Sequence, residues 1–246
     1  MNDNPIGIFD SGIGGISILN EIRKVLPNEK YIYFGDSLNN PYGDKTKEEL
    51  MDIVCDIVEW FIEKECKLIV IACNTATTLL IKDLRDKYPD TIFVGTEPAI
   101  KVAYDYYYDK NVLVMATPGT IKSEKVLELS NKYYQENRYL LQCDQLANLI
   151  ENKSKSINSY LEELLADYKS KNIEVVVLGC THYPFIKDKI SNILEGVTFI
   201  DGSRGIANRV YTILNKQGWV SNRKSGDVLM YNSIKSKLNI MKDLLD

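Results

Sequence analysis

The runs Leu68-Ile69-Val70-Ile71 and Val175-Val176-Val177-Leu178 constrain most strongly what this chain can fold into. Both are unbroken strings of β-forming apolar residues, the pattern of strands buried on two faces in a parallel sheet. Each passes at once into a cysteine with polar followers, Ala72-Cys73-Asn74-Thr75 and Gly179-Cys180-Thr181-His182, and then into a helix-like segment. Both cysteines therefore fall where a strand gives way to a helix N-terminus, and ligands of open α/β sheets gather at such carboxyl ends. A helix N-terminus also favours an anion, and so a thiolate. One such cysteine is a candidate nucleophile. Two in matched settings suggest a pair of acid/base thiols facing one substrate.

The rest of the chain repeats the alternation of strand, loop and helix. Ile6-Gly7-Ile8-Phe9 reads as a first strand, ending at Asp10-Ser11-Gly12-Ile13-Gly14-Gly15, and a helix with Ile18, Ile22 and Leu26 follows. That glycine turn lacks the dinucleotide fingerprint, so nucleotide binding is not expected. Tyr31-Ile32-Tyr33-Phe34 is a second strand, leading to the loop Asn39-Asn40-Pro41-Tyr42-Gly43. Leu50, Ile53, Val54, Ile57, Val58, Phe61 and Ile62 then mark one apolar face of a long helix. Thr91 to Gly95 is a fourth strand. After Thr96-Glu97-Pro98 the series begins again with Val112-Leu113-Val114-Met115, Arg138 to Gln142, Val175 to Leu178 and Val197 to Ile200. Residues 152–158 read as a loop, and Val228 to Tyr231 as a last strand-like run. The two halves echo one another, the Asp10 loop answering the Thr117 loop and Cys73 answering Cys180. The expected fold is α/β, with two pseudo-symmetric lobes, each a mostly parallel sheet flanked by helices, and an active site in the cleft separating them. One lobe takes residues 1–97 and 207–246 and carries Cys73; the other takes 98–206 and carries Cys180.

The 246 residues suffice for a substantial core, and 45% hydrophobic with 26% charged residues is ordinary for a globular protein. A net charge of −4 without basic blocks argues against nucleic acid or an anionic membrane as partner. No apolar stretch is long enough to span a bilayer, and the polar start Met1-Asn2-Asp3-Asn4-Pro5 does not read as an export signal. The five cysteines form no paired framework, so reduced thiols in the cytoplasm are expected. Cys55 and Cys66 read as packing residues. His182 is the sole histidine and no CxxC occurs, so no metal site is expected.

The motifs together resemble those of the glutamate racemases, within the aspartate/glutamate racemase superfamily. The residues are Asp10-Ser11-Gly12-x-Gly14-Gly15, Pro41-Tyr42-Gly43, Ala72-Cys73-Asn74-Thr75-Ala76, Ala116-Thr117-x-Gly119-Thr120 and Leu178-Gly179-Cys180-Thr181-His182-Tyr183-Pro184, in the family's order. The likeness runs from about Ile6 to Arg209, and the Cys-Asn-Thr and Cys-Thr-His pair is its most specific part. His182 favours the glutamate branch, because the aspartate branch carries an acidic residue after its second Cys-Thr. The resemblance implies cofactor-independent racemisation of L- and D-glutamate, supplying D-glutamate for peptidoglycan. No Lys sits in a motif suited to a Schiff base, so one cysteine would act as thiolate base and the other as thiol acid. An unperturbed thiol, with a pKa of about 8.5, needs only modest depression for that work.

By the same resemblance Cys73 handles the proton of D-glutamate and Cys180 that of L-glutamate. Asp10 assists Cys73, His182 assists Cys180, and Glu151 matches a carboxylate near the second side. Ser11, Pro41, Tyr42, Gly43, Asn74, Thr75, Thr117, Thr120 and Thr181 would hold the substrate. The partner implied is a small-molecule amino acid, and homodimerisation is left open. Three stretches depart from the family pattern: Leu38-Asn39 stands for a small residue and an Arg, Pro98-Ala99 for Pro-Gly, and Cys143-Asp144-Gln145 for a Cys-Pro run. Two other readings stand beside this one: a related two-thiol racemase for aspartate or another acidic amino acid, and a non-catalytic regulator retaining the fold. On the residues alone, Asp10 could merely cap a helix, His182 could be structural, and the threonines could be loop or cap hydroxyls.

Overall fold

The computed structural model of the chain describes residues 2–245 apart from 97 and 134. Two compact units emerge, one made of residues 1–96 with 203–246, the other of residues 97–202. The return to the first unit comes at Ser203 rather than at 207, because the helix beginning there belongs to it whole; Glu97, at the expected outward crossing, lies outside the described residues.

The first unit is a five-stranded parallel sheet. Its strands are β1 (Ile6–Asp10), β2 (Lys30–Gly35), β3 (Leu68–Ile71), β4 (Phe93–Gly95) and β9 (Asp227–Asn232), in the order β4-β3-β1-β2-β9. Its helices are α1 (Ile16–Val25), α2 (Lys47–Glu63), α3 (Asn74–Lys87), α10 (Ser203–Gln217) and α11 (Lys237–Asp243). The second unit is a four-stranded parallel sheet of β5 (Val112–Ala116), β6 (Arg138–Gln142), β7 (Val175–Gly179) and β8 (Thr198–Ile200), in the order β6-β5-β7-β8. With it go α4 (Ile100–Tyr106), α5 (Pro118–Ile121), α6 (Glu124–Lys132), α7 (Leu146–Glu151), α8 (Ile157–Leu164) and α9 (Lys187–Ser191).

Read from the outer strand, β4-β3-β1-β2 and β8-β7-β5-β6 are one order written twice, with β9 added to the first. Cys73 and Cys180 follow corresponding strands, β3 and β7, and Asp10 and Thr117 stand at the ends of the corresponding β1 and β5.

Burial on both faces explains the unbroken apolar runs. In the first unit Ile6, Ile8, Leu68 and Val70 pack with residues of α1 and α10, while Phe9, Ile69 and Ile71 pack with those of α2 and α3. In the second, Leu113, Met115, Val176 and Leu178 line one core and Val112, Val114, Val175 and Val177 the other. Alternate side chains enter opposite cores, as a pleated strand requires. Helix α2 starts on a reciprocal cap: Glu49 N–H donates to Thr46 Oγ1 at 3.2 Å and Thr46 N–H to Glu49 Oε2 at 2.9 Å. It buries the predicted stripe at Leu50, Val54, Ile57, Val58 and Phe61.

Two local readings shift and a third gains a place in the sheet. Helix α8 begins at Ile157, inside the expected 152–158 loop. Strand β4 is shorter than expected, Thr91 being tied into a turn by its N–H bond to Tyr88 O at 3.0 Å. The strand-like run near Val228 is the parallel edge strand β9, beside β2. At the amino ends of the strands Lys67 and Glu29 form an ion pair at 2.7 Å, both side chains fully buried. Lys67 also donates to Asn2 O and Trp219 O, so all three of its protons are engaged. No helix among the described residues is long and apolar enough to cross a membrane.

Candidate active site

In the first unit the candidate residues collect at the carboxyl ends of β1, β2 and β3. Asp10 ends β1 fully buried, and its Oδ2 accepts the Gly15 N–H at 3.0 Å, at the start of α1. The capping role is thus real, and it also fixes the carboxylate's orientation. Cys73 is the N-cap residue of α3, with no side-chain hydrogen bond capping the helix there. Its thiol points at Ser11 Oγ, 3.9 Å away. Anionic groups are stabilised at such a helix start, where the first-turn N–H groups have no intrahelical acceptors. Asn74 and Thr75 occupy that first turn and are buried.

The loop after β2 is held by a buried carboxylate that the sequence reading passed over. Asp36 accepts the Tyr42 hydroxyl at 2.8 Å and the Asn39 amide at 2.9 and 3.1 Å. Burial first, then the Asp36 charge and hydrogen bond, hold the Tyr42 phenol well above its usual pKa, with smaller contributions from Cys73 and Asp10. Tyr42 is therefore a protonated donor fixed in place, and it opens the short turn Tyr42–Asp44. Asn40 donates from its amide to Ser11 O at 3.1 Å, joining this loop to the Asp10-Ser11 turn. Asn40 Oδ1, Asn74 Oδ1 and Thr96 Oγ1 are buried and make no hydrogen bond among the described residues. A polar atom so placed costs about 1–3 kcal/mol unless a ligand or water meets it. These three therefore suit a ligand rich in polar hydrogens.

In the second unit the corresponding ends carry a different set. Gly179 closes β7 against β5: a side-chain carbon there would come within 2.8 Å of Ala116 Cβ and Met115 O. Only glycine lets the Cys180 loop lie this close to the Thr117 loop. Thr117 accepts the Thr120 N–H at 3.4 Å and donates to Thr120 Oγ1 at 3.1 Å, so both threonines act in the cap of α5. Cys180 Sγ lies 3.7 Å from His182 Nδ1, and His182 Nε2 lies 2.8 Å from Glu151 Oε2. His182 and Glu151 are 1% and 2% exposed, so this is a sequestered relay and not a surface ion pair. Glu151 reaches it from the last residue of α7, despite the altered Cys143-Asp144-Gln145 stretch. Thr181 is buried beside them in the chain.

Behind Cys180 sit two further buried groups that the sequence reading did not single out, Cys143 and Tyr183. Burial pushes both the Cys143 thiol and the Tyr183 phenol well up, and the charge of Cys180 pushes the same way. Both stay protonated near neutral pH and supply no competing base. Cys66, as expected a packing residue, is pushed up to about 12 by burial. Cys55, which is buried where Cys66 is half-buried, lies 3.0 Å from Lys87 Nζ. Among the described residues no group of three His, Cys, Asp or Glu is arranged to hold a metal ion. A cavity of about 510 Å³, lined by Arg85, Phe93, Arg209 and Lys216 among others, lies at the far end of α3 from Cys73 and includes none of these residues.

Parallel α/β units with a buried cysteine just beyond a corresponding strand in each define a class, and sequence comparison agrees. The model of the Asp/Glu/Hydantoin racemase family matches residues 17–210, and the chain belongs to that family. A glutamate racemase of Clostridium novyi (strain NT) is 43% identical over 244 residues, 97% of this chain and 94% of its own length. A crystal structure of glutamate racemase from Francisella tularensis in complex with D-glutamate superimposes with a TM-score of 0.82 at 30% identity, covering 100% of this chain and 94% of that one. The Escherichia coli glutamate racemase, solved with L-glutamate and the activator UDP-MurNAc-ala, gives 0.84 at 30% identity, over 98% and 95% of the two chains. Two parallel-sheet α/β units flanked by helices are what these structures share with this chain, which is a racemase and so an isomerase by reaction class.

Proposed function

We propose that this racemase interconverts L- and D-glutamate by a two-base mechanism, with Cys73 and Cys180 serving opposite faces of one α-carbon. The observation that carries the reading is the equivalence of the two thiols: each follows the same strand of a repeated sheet order, beside its own polar relay. Glutamate is the substrate named for the relatives solved with ligand, and those relatives span this chain almost completely.

Starting from L-glutamate, the Cys180 thiolate takes the α-proton and the Cys73 thiol gives one to the other face. The product is D-glutamate, with the thiolate now on Cys73. Proton in and proton out are both supplied by side chains, so the scheme calls on no cofactor. A general acid or base placed in this way contributes about 10²–10⁴-fold. His182 is the group within reach of Cys180 that can carry its proton, and Glu151 at Nε2 fixes the ring. Asp10, fixed by the Gly15 amide, assists on the Cys73 side. Ser11, Asn74, Thr75, Thr117, Thr120, Thr181 and the 41–43 backbone hold carboxylates and ammonium with neutral donors and acceptors, which bind charge without competing for the α-proton. Both thiols must stay reduced for this chemistry, which suits an enzyme of the cytoplasm that supplies D-glutamate for peptidoglycan.

The test is chiral chromatography of L-glutamate and, in parallel, L-aspartate incubated with the protein. Conversion of glutamate toward a 1:1 mixture with little on aspartate is the expected result. Conversion of aspartate alone would transfer the reading to that acid, and inertness toward both would leave a non-catalytic member of the fold.

A further inference from the structure

The loop that carries Tyr42 and Gly43 is fastened from outside the site by the end of β9. Asn232 is paired across the sheet with Gly35, the last residue of β2. Its amide donates to Ser37 Oγ at 2.9 Å and lies 3.3 Å from Met241 Sδ of α11, while its Oδ1 accepts the Ile234 N–H at 2.8 Å. Ser233 adds two more ties: its hydroxyl accepts the Leu38 N–H at 2.8 Å, and its N–H donates to Gly35 O at 3.0 Å. A side-chain carbon on Gly35 would stand 2.6 Å from Asn232 Nδ2 and 2.6 Å from Gly12 O. Glycine at 35 thus lets the Asn232 amide come down onto the junction where β2 gives way to the substrate loop, next to the Asp10-Ser11-Gly12 turn.

We infer that Asn232 is a positioning residue for substrate binding, holding residues 35–38 and, through Asp36, the Tyr42–Gly43 backbone against the edge strand. The inference rests on the glutamate reading for its choice of substrate, but not for the clamp. Two consecutive anchors, Asp36 on Tyr42 and Asn232 on Ser37, leave the loop little freedom at its start. Neither Asn232 nor Ser233 is required to touch the reacting atoms. Removing the clamp should therefore loosen recognition of the ground and transition states alike, the signature of lost uniform binding.

The experiment compares Asn232→Ala, Ser37→Ala and the double variant with the wild-type enzyme. Ser37→Ala removes the same bond from its other end without altering β9. The expected result is a KM for glutamate raised about fivefold in each single variant, as for one lost hydrogen bond. In addition kcat should stay within about twofold of wild type, and the double variant should show no further rise in KM, since the Asn232–Ser37 bond that holds the loop is lost in either single variant. Amide hydrogen exchange across residues 36–43 should quicken in all three. An unchanged KM, additive effects in the double variant, or unaltered exchange in the loop would overturn the inference. Wild-type enzyme inert toward glutamate would instead overturn the substrate assignment, while the exchange measurement still judged the clamp.

Discussion

The two thiol loops occupy equivalent places in a repeated architecture and are furnished differently. Cys73 has a serine hydroxyl at 3.9 Å, and the residue before that serine is a fully buried aspartate fixed by a backbone amide. Cys180 has an imidazole at 3.7 Å backed by a buried glutamate. One repeated sheet order therefore carries two cysteines at corresponding strand ends, and the local sequences decide which polar groups stand beside each sulfur. A symmetric reaction does not require symmetric machinery.

The largest expected effect tests whether both sulfurs are needed. Cys73→Ala and Cys180→Ala should each lower racemisation by about 10²–10⁴-fold. In D₂O they should diverge: Cys73→Ala keeps slow α-proton exchange with L-glutamate only, and Cys180→Ala with D-glutamate only, both read by NMR. Exchange of both enantiomers by either variant would dissolve the assignment of faces.

A second comparison sets the His182–Glu151 pair against Lys67–Glu29. Both are buried side-chain pairs, but Lys67 spends all three protons on fixed acceptors, while His182 keeps one ring nitrogen turned to a thiol. Lys67→Met should destabilise the protein by about 3–5 kcal/mol, the cost of an unpaired buried charge, and leave kcat nearly unchanged. Urea unfolding beside steady-state kinetics gives both numbers. Glu151→Gln should do the reverse, lowering activity about 10–100-fold with little loss of stability. Because the two enantiomers have equal free energy, kcat/KM must fall alike in both directions. The asymmetry of the two loops then shows in kcat and KM taken separately, and Asp10→Asn should skew them in the opposite sense to Glu151→Gln.

The smallest effect concerns the protonated groups around each loop. In the folded chain Cys143 keeps its proton above the pH at which an unfolded thiol, with a pKa of about 8.5, gives it up. The unfolded state then binds fewer protons, so stability is full below that pH and declines as pH rises beyond it. The decline is about 1.4 kcal/mol per pH unit for this one thiol. Cys143→Ala should flatten the alkaline limb of a stability–pH curve measured by urea titration, and an unchanged limb would remove Cys143 from the account.

Much of this was legible in the residues because parallel strands buried on both faces leave unbroken apolar runs that end sharply. Cys73 and Cys180 could be placed at strand ends from that pattern alone, and the capping of Asp10 and Thr117 followed from their positions. The approach of Glu151 to His182 was harder to see, since 31 residues separate them and it is the packing of α7 against the turn Tyr183–Ile186 that brings them together. Asp36, Asn40 and Asn232 left no periodic trace. Their roles come from side-chain hydrogen bonds between loops, which local sequence does not encode. The pairing of β9 with β2 is likewise a long-range event, set by what lies open at the sheet edge.

The central claim is that proton removal and proton delivery are done by different groups on opposite faces. It is tested most directly by following L-glutamate in D₂O during the first few per cent of conversion, with chirally resolved mass spectrometry of both enantiomers. The account predicts deuterium at the α-carbon of nearly all the D-glutamate formed, while the remaining L-glutamate stays protiated. Product that keeps the original hydrogen, or label entering the unreacted L-glutamate as fast as product forms, would mean one base serving both faces and would contradict it.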